Sequence, residues 1–107
     1  MANFTEEIIN SVWEKAEKVA NNDPNIWRKD FAGAWIRRDH YGKELAYGWE
    51  IDHLKPLDQG GTDDLKNLFP LHWRNNRKKS NNYPVFSTII TSSRTSNIEF
   101  LKTWRVE

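Results

Sequence analysis

The 107-residue chain contains no cysteine. That excludes disulfides, a cysteine nucleophile and any cysteine-ligated zinc or iron–sulfur centre. It says nothing about redox compartment. No apolar run approaches the ~18 residues of a membrane span. Met1 to Asn10 has no basic region leading into an apolar stretch, so no secretory signal is read there and the expected location is the cytoplasm. Aliphatic residues are also scarce. Leu, Ile, Val and Phe number 24, about 22% of the chain and close to the ~20% at which disorder sets in. Six Trp and five Phe compensate, because each aromatic buries a large area. The length suits a single domain, residues 1–107. Such a domain buries roughly 60–70% of its unfolded surface and folds without staples, with little core to spare.

A formal net charge of +1 hides an asymmetry. Residues 1–53 carry seven basic and ten acidic side chains, and residues 54–107 carry nine and five. Between Leu65 and Ile98 there is no acidic residue but there are six Lys or Arg. Such a stretch suits a polyanion such as nucleic acid. Charge alone would equally describe a solvated face.

Ile8, Ile9, Val12, Trp13, Ala16, Val19 and Ala20 recur at helical spacing, which predicts a helix over 4–20. Asn3 or Thr5 can cap it, and Asn21-Asn22-Asp23-Pro24 stops it. Residues 31–38 and 45–52 read as two strands joined by a turn at Asp39–Lys43. Pro56 and Gly60-Gly61 mark a long loop. Leu68–Leu71 reads as a short strand that Pro70 confines to an edge. Residues 72–80 form a short polar helix. Residues 85–91 and 98–106 alternate like strands, with a helix over 97–104 as the rival reading. The fold class is α+β.

The middle of the chain carries the chemistry. Asp52-His53 ends an apolar strand and leads directly into the Pro and Gly-Gly loop, and a polar helix with an Asn and several cations follows. A neutral His takes a proton from water near pH 7. A carboxylate and an amide oxygen can hold a hard cation such as Mg²⁺. Such a cation polarises a phosphate, and Lys and Arg pair with the remaining phosphate charge. These are the parts of a phosphodiester hydrolase.

At these residues, "IDHLKPLDQGGTDDLKNLFPLHWRNNRKK", the sequence resembles the HNH endonucleases, whose shared core is the ββα-metal motif. It is similar to the HNN variety seen in the HNH domain of the large CRISPR effector nuclease. The resemblance covers residues 47–84. It implies an HNH core and leaves the ends of the chain unassigned; the residue pattern adds an N-terminal helix, a preceding β-hairpin and a strand-rich C-terminal tail. It implies that His53 is the general base, that Asp52 and Asn76 are metal ligands, and that Asn67 braces the loop and aims His53. It places Lys79 beside the scissile phosphate. Arg74, Arg77 and Lys78 are assigned phosphate contact from charge and position. Many relatives carry Cys pairs for a structural zinc; here aromatic core and added hairpins must hold the motif instead. Asn as the third motif residue favours Mg²⁺, or else Mn²⁺, over zinc.

The resemblance therefore implies a metal-dependent nuclease that nicks DNA, RNA being the alternative nucleic acid; no separate sequence-reading segment is visible, which points to weak sequence preference. The rivals are a non-catalytic binding module with a degenerate site, and a nuclease domain of a toxin or effector. Neighbouring residues have plainer readings. Asn75 competes with Asn76 for the metal-facing register. Glu50 suits a cross-strand salt bridge, His72 packing or phosphate contact, and His40 a turn.

Overall fold

The computed structural model describes residues 3–107. The architecture is mixed α+β, with two helices and three two-stranded antiparallel sheets. In chain order these are α1 (Glu6–Trp13), β1 (Trp27–Lys29), β2 (Trp35–Arg37), β3 (Trp49–His53), β4 (Leu68–His72), α2 (Trp73–Lys79), β5 (Val85–Ser93) and β6 (Ser96–Arg105). No helix among the described residues is long and apolar enough to cross a membrane.

Thr5 caps α1, its hydroxyl accepting from the Ile8 amide at 3.2 Å, and Glu6 and Glu7 complement the positive end of the dipole. The helix is shorter than the predicted 4–20. The carbonyls just past its end are taken by a residue further along the chain. The buried Arg28 guanidinium donates to Glu14 O at 3.1 Å and to Ala16 O at 3.3 Å. Glu17 then pairs backbone-to-backbone with Lys29. A guanidinium cap plus a bridge to β1 outcompetes two further turns whose only apolar contributions would be Val19 and Ala20.

The first hairpin also differs from expectation. Residues 31–38 do not pair with 45–52. Instead β1 pairs with β2, from Trp27↔Arg37 to Lys29↔Trp35. Asp30 makes the turn. Its backbone bonds to Gly33 and Ala34, and its Oδ1 accepts from the Ala34 amide at 2.8 Å. Gly33 supplies the required φ of 93°. Arg38–His40 is a 3₁₀ turn, which places His40 in a turn as expected.

β3 pairs with β4 from Trp49↔His72 to His53↔Leu68, and α2 follows at once. This is the expected ββα unit. Pro70 is tolerated because β4 has an unpaired side in its two-stranded sheet. Trp49 and Ile51 point to the core formed with Ile9, Val12, Trp13, Ala16, Ile36 and Leu68. Burying each of the large side chains contributes about 1.5–3 kcal/mol before entropic losses. Glu50 and Asp52, on the other side of β3, reach α2. The tail is the β5–β6 hairpin, not a helix, with an irregularity between Thr88 and Ile90.

Candidate active site

The site is assembled at the end of β3, on the following loop and on α2. Gly60 and Gly61 shape the loop for different reasons. Gly60 has φ 91°, and a Cβ on Gly61 would lie 1.8 Å from Lys55 O. Only glycine allows that approach. Asn67 then ties the loop shut. Its Oδ1 accepts from the Lys55 amide at 2.9 Å, and its Nδ2 donates to Lys55 O at 3.0 Å and Thr62 O at 2.8 Å. Its backbone carbonyl accepts from Leu54 N at 2.9 Å. Asn67 thus braces the segment that carries His53.

The His53 ring is partly buried beside Phe4, with centroids 6.0 Å apart. Its Nε2 lies 2.7 Å from Asp63 Oδ1. The sequence offered one clue to Asp63, its position in the loop just after Gly-Gly-Thr, and no pattern tied it to His53.

Asp52 is buried. Its Oδ1 pairs with Lys79 Nζ at 3.3 Å, and its Oδ2 has no partner among the described residues. Burial pushes this carboxyl up to about 6, against the lowering effects of Lys79 and, more weakly, His53. Asn76 donates through Nδ2 to Glu50 Oε1 at 2.8 Å. Only the NH₂ can donate to a carboxylate, so the Asn76 carbonyl Oδ1 is left for another partner. Asp52, His53 and Asn76 line one cleft of about 390 Å³ together with Asp58 and Asn81. His53 and Asn76 also border a second depression with Tyr41, Glu50 and Arg77.

Asn75 has a different task. It is fully buried. Its Oδ1 accepts from the amides of Ile89 and Ile90 at 2.8 and 2.7 Å, where β5 departs from regular pairing. Its Nδ2 donates to Ile90 O and to Asp30 Oδ2. Between the two adjacent asparagines, Asn76 is the one that lines the cleft. His72 caps α2, its Nδ1 accepting from Arg74 N at 3.1 Å and its Nε2 donating to Ala46 O at 2.9 Å. Burial lowers its pKa. A neutral, fully engaged imidazole is left no proton chemistry.

Lys79 is fully buried. Besides Asp52 it donates to His53 O at 3.2 Å, so its ammonium faces inward, to the two motif residues. The basic helix is not free of acids, contrary to its sequence neighbourhood. Arg74 pairs with Glu99 at 2.6 Å, and Arg77 with Glu44 and Glu50 at 3.1 and 3.2 Å. The Glu50 pair reaches α2, not across the strands as expected. Lys78 is exposed and makes no ion pair among the described residues.

Among the described residues no three His, Cys, Asp or Glu cluster as a metal site. The donor set at hand is one buried, orphaned carboxylate oxygen and one unused amide oxygen. Those two fit a hard cation that completes its shell with water and substrate oxygens.

Residues 37–82 match the family model for HNH endonuclease. Neither the search of curated proteins nor that of solved structures returned a match. Over those residues the chain is similar to the HNH endonuclease family, and the match points to a nuclease. It begins ahead of the expected motif core at 47 and takes in the 3₁₀ turn and the loop before β3.

Proposed function

We propose that the protein is a divalent-metal-dependent endonuclease that hydrolyses phosphodiester bonds of DNA, one strand per event and with little sequence preference. The observation that carries this is the buried, orphaned Oδ2 of Asp52, a residue that lines one cleft with His53 and with Asn76, whose amide oxygen is unused. Asp52 and Asn76 would hold Mg²⁺, with Mn²⁺ the alternative. When bound, the cation supplies positive charge for the phosphate and the departing oxygen. His53 takes a proton from the attacking water. Asn67 keeps the His53 segment closed. Attack at phosphorus with loss of the 3′ oxygen leaves 5′-phosphate and 3′-hydroxyl ends. The exposed Lys78, with Arg74 and Arg77, contacts flanking phosphates.

The test is supercoiled plasmid with Mg²⁺ or with EDTA, for the wild type and His53→Ala. Nicking is expected only with metal, with His53→Ala slower by roughly 10²–10⁴-fold, the usual contribution of a positioned base. The nicks should be sealed by DNA ligase. Wild-type rates in His53→Ala would remove His53 as the base, and an inert wild type that still binds duplex would replace this reading with that of a binding module. Cleavage of RNA but not plasmid would move the substrate class.

A further inference from the structure

The His53–Asp63 contact is not among the motif positions, yet its geometry constrains the imidazole. A carboxylate can only accept, so at 2.7 Å the His53 Nε2 must carry the hydrogen. In the neutral ring the lone pair then lies on Nδ1, which makes no hydrogen bond to another described residue. The other half of the contact is fixed independently. Asn67 bonds Lys55, two residues after His53, and Thr62, one residue before Asp63. One side chain therefore clamps together the two backbone segments that carry the pair.

From this we infer that Asp63 is a positioning residue, which holds His53 in the Nε2–H tautomer with Nδ1 free to receive the proton of water. This rests on the nuclease reading above. The same logic governs any imidazole base oriented by an acceptor on its far nitrogen. It also gives the Asn67 brace a specific purpose. Closing the loop brings the orienting carboxylate to the ring, beyond merely stiffening the chain.

Asp63 is largely exposed, with a side chain 63% accessible, so Asp63→Ala should leave the fold intact. Three readouts are taken on Asp63→Ala, with His53→Ala beside it. Steady-state nicking in Mg²⁺ should show kcat lower by about 10–100-fold, the scale for losing the partner that orients a site residue, with KM for DNA unchanged. Calorimetric Mg²⁺ affinity should be unchanged. Two-bond ¹⁵N–¹H spectra of the neutral ring should move from a single Nε2–H tautomer to the mixture of a solvated imidazole. A kcat within twofold of wild type, while His53→Ala is inactive, would overturn the inference and leave the nuclease reading standing. An unchanged His53 spectrum would overturn it too, as would a loss of Mg²⁺ affinity, which would make Asp63 a ligand. Full activity in His53→Ala would instead remove His53 as the base, and the role of Asp63 with it, while an inert wild type would remove the nuclease reading itself.

Discussion

Replacing Lys79 with Met separates two roles that the motif leaves indistinguishable. A lysine beside a scissile phosphate is exposed, and losing it costs rate. The lysine in the structure is fully buried, 3.3 Å from Asp52 Oδ1 and 3.2 Å from His53 O, with its ammonium 5.2 Å from the centre of the Phe86 ring. At the 3.3 Å separation from Asp52 an effective dielectric of about 20 gives roughly 5 kcal/mol of attraction. Measured losses from breaking one side of a buried pair are about 3–5 kcal/mol, because the remaining charge is stranded. A domain of this size has a total stability of about 5–15 kcal/mol. Lys79→Met should therefore consume a large fraction of the stability without necessarily unfolding the chain.

The assay is urea unfolding of wild type, Lys79→Met, Asp52→Asn and the double variant at one pH. Lys79→Met should lose about 3–5 kcal/mol, and the double variant should lose clearly less than the two singles added, because no stranded charge remains. A loss within about 0.5 kcal/mol for Lys79→Met, the scale of an ordinary surface substitution, would refute the buried pairing and return Lys79 to the phosphate.

Asn76→Ala should abolish nicking and weaken Mg²⁺ binding with little change in melting temperature, whereas Asn75→Ala strips partners from the buried Ile90 amide, at about 1–3 kcal/mol, and from the half-buried Ile89 amide, and should melt early; the reverse pattern would swap the two asparagines. On duplex DNA in Ca²⁺, Lys78→Ala should lower the salt slope of binding by about 0.9, while Arg74→Ala and Arg77→Ala lower it less, since their charge already faces Glu99, Glu44 and Glu50. Three equal decrements would mean that DNA displaces those glutamates.

The ββα unit was legible because its signals are local. The Asp-His step ends a strand, glycines mark the loop, and Asn67 sits where a brace is needed. The β5–β6 alternation was legible for the same reason. The errors share the opposite cause. The end of α1 is set by Arg28, which bonds carbonyls 12 to 14 residues earlier in the chain. The first hairpin is set by Asp30, one residue outside the expected strand. The acid partners of the basic helix come from residues 44, 50 and 99, which no inspection of 65–98 would supply. That Asn75 turns inward and Asn76 lines the cleft is set by β5, whose amides Asn75 satisfies.

Those same long-range contacts explain how a cysteine-free chain holds this motif. The β3–β4 pair needs support on both sides if the cleft is to keep its shape. On one side α1 packs Ile9, Val12 and Trp13 against Trp49 and Ile51, and Lys15 reaches the turn before β4, donating to Leu65 O and to Leu68 O. On the other side α2 is fastened by hydrogen bonds to buried partners. Asp30, in the turn of the first hairpin, accepts from the His72 amide at 2.9 Å and from Asn75 Nδ2 at 3.0 Å. Burial raises its carboxyl to about 6 even though these hydrogen bonds pull the other way. Asn75 in turn bonds the β5 backbone. One carboxylate and one amide thereby join the first hairpin, the start of α2 and the C-terminal hairpin. This fixes α2 in the rotation that directs Asn75 inward and Asn76 to the cleft. The scarcity of aliphatics is met by aromatics on the α1 side and by a fully partnered polar cluster on the α2 side. A cluster of that kind specifies geometry more strictly than it adds stability. Strict geometry is what the proposed pair of ligands and the proposed oriented imidazole require.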